Sequence, residues 1–456
     1  MAATTQSLLD PYKYQSGFGN HFSTEAVPGS LPVGQNSPQV CAHSLYAEQL
    51  SGTAFTVPRD RNQRTWLYRI RPSVCHAAYA PHAASAAAAP ADAQFVRSFE
   101  ALSPDPSQYR WMPRPVAVAP HSFVEGLRAV CGAGSPTTRS GLAIYTYTAN
   151  RAMVDEGFYS ADGDLLFVPQ LGTLDLQTEL GWLRVRPGEI AVVQRGIVFS
   201  VHPVCGEGEE AVEGVRGYVC ELYAGHLRLP DLGPIGANGL ANPRDFQTPV
   251  AAYEERACSF TVLTKFQGAL FTAHKDHSPY NVVAWHGNYA PYKYDLALFN
   301  TMNTVSFDHA DPSIFTVLTC PTNTPGVAAL DFVIFPSRWS VAEHTFRPPY
   351  FHRNCMSEYM GLIKGVYDAK EGGGFVPGGS SLHNYMTPHG PDATTFPKAS
   401  TADLKPEKLP DTLAFMFETS YILSVTEHAR TQHVDEHYLD CWKGHDSHFT
   451  GPAKSP

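Results

Sequence analysis

Apolar side chains along this chain come in short runs broken by Gly, Pro, Asn or Asp, and long helical spacing is rare. The stretch from Asp164 to Val201 is representative. Leu165-Leu-Phe-Val168 is followed by Leu174 and Leu176, by Leu183 and Val185, by Ile190-Ala-Val-Val193 and by Ile197-Val-Phe199. Gly172, Pro187-Gly188-Glu189 and Arg195-Gly196 punctuate these runs. Around Leu174, Leu176, Leu183 and Val185 apolar and polar residues alternate, which is the side-chain period of a half-buried strand. The pattern predicts an antiparallel meander of a jelly roll or barrel. A second β-rich set includes Ser313-Ile-Phe-Thr-Val-Leu-Thr319 and Phe332-Val-Ile-Phe335. Helical signals are short, as at Glu179-Leu-Gly-Trp182 and Pro243-Arg-Asp-Phe246.

Two segments depart from this pattern. His82 to Ala93 is Ala-rich, and Pro90 with the lack of large apolar residues favours an exposed insertion. Glu371 to Ser381 is Gly-rich but lacks the Lys-Ser/Thr ending of a phosphate loop, so it reads as a tight connector. No repeat of fixed period is found.

A length of 456 residues exceeds one ordinary core, and 43% hydrophobic against 17% charged residues implies a compact protein. The formal charge of −10 argues against a nucleic-acid partner, which would need a basic face. No apolar run approaches the roughly 20 residues that span a bilayer, and no secretory signal is visible. The nine cysteines are scattered from Cys41 to Cys441 without a C-x-x-C pair, as expected of reduced thiols in the cytosol.

Candidate chemistry concentrates in the C-terminal third. In Arg347-Pro-Pro-Tyr-Phe-His352-Arg-Asn354-Cys-Met-Ser-Glu358 a carboxylate follows a histidine by six positions. A straight strand would separate the two by roughly 20 Å and a helix would put them on different faces. Both reach one ion only if the chain turns between them, and Arg353-Asn354-Cys355 is the expected place. The spacing matches the first cupin motif, H-x-H-x₃-E-x₆-G, at His352, Glu358 and Gly365. Asn354 stands where its second histidine usually is, and Phe346 where a glycine is expected. Pro377-Gly-Gly379-Ser-Ser-Leu-His383 approximates the second motif with one extra residue before its histidine, and His389 follows. A lone histidine in a strand is ordinarily a hydrogen-bonded core or surface residue. Here the Gly365 match, the neighbouring histidines and the β context favour metal. Two histidines and one carboxylate form the facial triad that leaves positions of iron(II) open to substrate and O₂. Spacing leaves the third ligand open between His383 and His389. Phe167-Val-Pro-Gln-Leu-Gly172 carries no histidine at the comparable place, so the first unit is expected to be metal-free. The expected fold is thus mainly β, two jelly-roll or cupin-like β-sandwich units with few short helices. Residues 1–296 would form the structural unit and 297–456 the catalytic one.

The His352 segment resembles the iron-binding segment of the homogentisate dioxygenase family. The similarity extends to Tyr14-Gln-Ser-Gly-Phe-Gly-Asn20, Leu45 to Phe55, Trp285-His-Gly-Asn288, Phe307 to Ser313 and Met386-Thr-Pro-His-Gly-Pro-Asp392. Carried over by position, the resemblance implies Fe²⁺ held by His352, Glu358 and His389, with His383 near the substrate instead. It implies an acid/base histidine at His309, and substrate contacts by Tyr367, Asn354, His383 and His389. It further implies cleavage of homogentisate by O₂ to 4-maleylacetoacetate, in phenylalanine and tyrosine breakdown, by a hexamer built as a dimer of trimers. A neutral histidine near pKa about 6.5 suits proton transfer from a phenol at neutral pH. Without the resemblance, His309 reads as a structural histidine tied to Asp308 or Asp311, and Tyr367 as an ordinary strand aromatic. Two rivals remain on the residues alone. His₂Glu also serves zinc hydrolases, which would consume no O₂, and a binding-type bicupin would need none of these ligands.

Overall fold

The computed structural model describes residues 10–83, 94–204, 213–231, 239–303, 307–308, 311–367 and 375–451. Strands dominate these residues, in sheets of nine, seven, four and six strands, and the helices are short. Most of the Ala-rich segment, the first part of the Gly-rich one, and His309 lie outside the described residues.

The nine-stranded sheet is a middle layer. Its strand Asp164–Leu171 sends Leu165 and Phe167 into one core with Phe158, Leu174 and Phe199 of the seven-stranded sheet. Leu166 and Val168 enter a second core with Phe332 and Phe415 of the six-stranded sheet. Burial on both faces explains why Leu165-Leu-Phe-Val168 is continuously apolar instead of alternating. Tyr218 fastens the second interface. Its ring meets Phe415 at 4.9 Å, and its hydroxyl donates to the Gly379 carbonyl at 2.7 Å.

The expected meander is not one continuous ribbon. Asp164–Leu171 pairs with Glu189–Val193 and Val215–Leu222. Thr173–Thr178 instead pairs with Gly181–Val185 and Phe199–Val204 in the seven-stranded sheet. The chain crosses between sheets at Gly172. Its φ is +71°, and a Cβ there would come within 2.7 Å of the Val215 side chain, so no other residue fits without strain. Glu179-Leu-Gly-Trp182 is a tight turn, not a helix. Its register is set by Thr178 and Gly181, and the buried Glu179 carboxylate takes Arg69 and the Val198 N–H, each at 2.9 Å. Pro243–Asp245 does form a single 3₁₀ turn, capped by the Asn242 side chain.

The site lies on the six-stranded sheet, ordered Thr316–Pro321, Ala328–Ser340, Glu407–Thr419, Ser357–Lys364, Ser380–His383 and Tyr109–Trp111. Tyr109–Trp111 comes from far upstream, and in return Ser424–Val425 edges the nine-stranded sheet beside Arg128–Ser135. Residues from both sides of position 296 therefore build each of these sheets. No described helix is long and apolar enough to cross a membrane, and the eight described cysteines are free.

Candidate metal centre

Directly opposed residues in antiparallel pairs share a face of the sheet. Asp331 pairs with Glu418, Glu418 with Glu358, and Glu358 with His383. Three carboxylates and a histidine thus form a row across four strands, on the face away from the nine-stranded sheet.

His352 and His389 are brought over this row by a two-residue bridge. The His352 N–H donates to the His389 carbonyl at 2.9 Å, and the His389 N–H donates back at 3.1 Å. The turn before Glu358 falls at Asn354–Met356, one residue later than expected, with the Asn354 Oδ1 accepting the Met356 N–H at 3.2 Å. Ser357 pins the opposite loop, donating to the Asn384 Oδ1 at 2.8 Å and accepting the Tyr385 N–H at 3.1 Å.

One ligand atom each from His352, Glu358 and His389 lies within 4.8 Å of the others. The His389 Nε2 is 3.1 Å from the Glu358 Oε2, and the His352 Nε2 is 3.4 Å from the Oε1. Each imidazole uses its other nitrogen on a backbone carbonyl, His352 on Tyr350 at 2.6 Å and His389 on Thr387 at 3.0 Å. Those carbonyls assign the proton to Nδ1, so two Nε2 lone pairs and a carboxylate converge. Only a cation or an added proton relieves that convergence, and carbonyl-anchored imidazoles are the usual support of metal ligands. The donor set therefore fits a divalent ion. Burial alone would raise the Glu358 carboxyl, but the hydrogen bonds and charges of His352 and His389 hold it well below the usual range. Burial lowers His352, and Glu358 with the Tyr350 carbonyl more than restores it, for a net rise. The His352 side chain is 25% exposed against 8% for Glu358, so solvent reaches the cluster from the His352 side.

His383 is not part of the converging trio. Its ring stacks on His389 with centroids 4.1 Å apart and planes at 10°, and its Nε2 lies 2.5 Å from the Tyr438 hydroxyl. Asn354 donates to Glu358 at 3.2 Å and to Glu418 at 3.0 Å. Tyr367 lies apart within one chain. Its ring packs on Phe335, which pairs with Ala414, four residues from Glu418 and so about 13 Å along the strand. His309 is outside the described residues, but its neighbours approach the ligand segment. The Asp308 N–H donates to Thr345 at 2.8 Å, and Tyr350 donates to Asp311 at 3.4 Å.

Three further residues around the site carry little or no signal in the sequence. Glu418 is pushed up to about 7, by burial first and by the Glu358 charge second. Its signal was a carboxylate closing the apolar run Leu413-Ala-Phe-Met-Phe-Glu418. Tyr438 and Arg110, whose guanidinium lies 4.0 Å over the Tyr438 ring, had no local signal.

Comparison with known proteins covers nearly the whole chain. The profile described as Homogentisate 1,2-dioxygenase N-terminal matches residues 13–296, and its C-terminal counterpart matches 297–449. The chain belongs to the homogentisate 1,2-dioxygenase family. The family's protein from Dictyostelium discoideum is 59% identical over 437 residues, covering 95% of this chain and 97% of the relative. That from Caenorhabditis elegans is 54% identical, covering 98% and 100%. The Homo sapiens homogentisate 1,2-dioxygenase is also 54% identical, covering 97% and 98%. This chain is accordingly an enzyme of the dioxygenase class.

Proposed function

We propose that this chain is a cytosolic, iron(II)-dependent enzyme that opens homogentisate with O₂ to give 4-maleylacetoacetate, a step of phenylalanine and tyrosine breakdown. The observation that carries the reading is the convergence of His352, Glu358 and His389 in a chain of this family. Iron(II) held there supplies open positions and the one-electron chemistry that lets ground-state O₂ react with a closed-shell ring. The protein's own part is to hold and prepare the substrate. Substrate approaches from the His352 side, which solvent reaches, while the sheet and His383 lie on the other side. His309 is the acid/base candidate for a phenolic proton, which makes the ring more electron-rich. Cleavage breaks the bond between the hydroxylated carbon and its neighbour bearing the acetate, and both oxygen atoms of O₂ enter the product. No nicotinamide or flavin is required. A hexamer assembled from two trimers is the oligomer this reading expects.

The test loads the protein with iron(II) without air, then adds homogentisate and O₂. One O₂ consumed per homogentisate, with appearance of the ring-opened product, supports the reading. Homogentisate left intact by fully iron-loaded protein overturns it, as does equal activity with zinc and no O₂ uptake.

A further inference from the structure

Asn354 occupies the place where the cupin motif ordinarily has a second ligating histidine. Its side-chain amide is fully engaged inside the protein. One hydrogen of Nδ2 goes to the Glu358 Oε1 at 3.2 Å and the other to the Glu418 Oε1 at 3.0 Å. Its Oδ1 accepts the Met356 N–H at 3.2 Å. The reverse amide orientation would aim an oxygen at two carboxylates and an NH₂ at a backbone N–H, so the orientation is unambiguous. Glu418 sits on the strand between Asp331 and Glu358, with its backbone paired to both.

We propose that Asn354 and Glu418 form a positioning pair that fixes the Glu358 carboxylate for the metal, and that Asn354 spends no donor on substrate. The inference rests on the metal-centre reading above. A glutamate's terminal torsion is soft, and a single hydrogen bond at Oε1 selects one carboxylate plane. Asn354 imposes that plane because Glu418 holds the amide in turn. The Oε1 held by Asn354 is the oxygen facing His352, while the Oε2 faces His389. The two histidine ligands thus meet a carboxylate whose oxygens are already distinguished. Removing an outer partner of this kind typically weakens metal binding about 10–100-fold.

The experiment titrates the full chain anaerobically with iron(II) against a competing chelator. It compares wild type, Asn354→Ala, Glu418→Ala, the double variant and Glu418→Gln, each checked by circular dichroism. Both alanine variants should bind iron(II) at least about tenfold more weakly. The double variant should be no weaker than Asn354→Ala, because Glu418 acts through Asn354. Glu418→Gln should restore near-wild-type affinity, since its carbonyl still accepts from Asn354. The KM for homogentisate of iron-loaded Asn354→Ala should stay within about twofold of wild type. Unchanged affinity in folded Asn354→Ala overturns the proposal, as does a raised KM at unchanged affinity, or full additivity in the double variant. Asn354 lies in a partly exposed turn, so its variant carries the test even if Glu418→Ala does not fold. Wild type that takes up no iron(II) would refute the metal-centre reading itself, a different failure from a wild type and variants that bind alike.

Discussion

Replacing Tyr438 with Phe removes one oxygen from behind the metal centre and little else. The Tyr438 hydroxyl is 2.5 Å from the His383 Nε2, and both residues are 2% exposed. Burial raises the phenol far above its ordinary range, so it stays neutral beside the imidazole. The phenyl ring keeps its contacts with Trp442 and with the Arg110 guanidinium. The cost is then that of depriving a buried imidazole nitrogen, and the Arg110 guanidinium that also hydrogen-bonds the hydroxyl, of this partner where water does not readily replace it. That is about 1–3 kcal/mol, and the depth of burial places it near about 2 kcal/mol. The His383 ring also backs His389 at 4.1 Å, so its loosening should weaken iron(II) binding about tenfold. Urea unfolding of the chelator-treated protein reads the first effect, as a lowered midpoint at unchanged slope. Competitive iron(II) titration reads the second. A stability loss below about 0.5 kcal/mol together with unchanged iron affinity would refute the argument, since it would mean that the hydroxyl is readily replaced by solvent.

Glu358→Gln should fold normally yet lose most iron(II) occupancy, because a neutral amide is a poorer ligand for a divalent cation than a carboxylate; full occupancy with unchanged turnover counts decisively against the triad. His309→Ala should retain iron and lose on the order of 10²–10⁴-fold in turnover, as removal of an acid/base group does; a loss below about threefold at normal metal content leaves it a structural residue. Burial opposes ionisation of Asp105, but hydrogen bonds from Tyr109 and Ser107 and the Arg430 charge outweigh it and bring the carboxyl down to about 2. A depressed carboxyl stabilises the fold above its unfolded value of about 3.9 and loses that contribution as pH falls toward the folded value. Asp105→Asn should therefore be less stable than wild type at pH about 5, with the gap closing toward pH about 2, in denaturation midpoints taken at both; a gap independent of pH would show that the pairing with Arg430 contributes nothing through charge.

The sequence by itself determined the strands and marked two members of the converging trio, His352 and Glu358. Leu174 and Leu176 alternate with polar residues because only one face of their strand enters an apolar core, and Leu165-Leu-Phe-Val168 does not alternate because both of its faces do. Such preferences are local, set by the period of side chains along a strand. His352 and Glu358 were legible because a short turn joins them, and turn chemistry is written in neighbouring residues. The tertiary structure decided which sheet each strand joins, since Gly172 marks a break but not its direction. Spacing alone left His383 and His389 open, and the structure turns His389 toward the carboxylate, as the resemblance implied. The two differ by six positions, and both sit beside Glu358; only the bridge between His352 and His389 turns one of them toward the carboxylate. Tyr438 and Arg110 had no local signal for the same reason, and Glu418 showed only as a carboxylate closing an apolar run. Glu418 and Tyr438 lie 60 and 80 residues from Glu358, and Arg110 is 248 residues from it. Their roles come from cross-strand register and from packing over the sheet, and long-range contacts of that kind have no local periodicity by which a sequence could announce them.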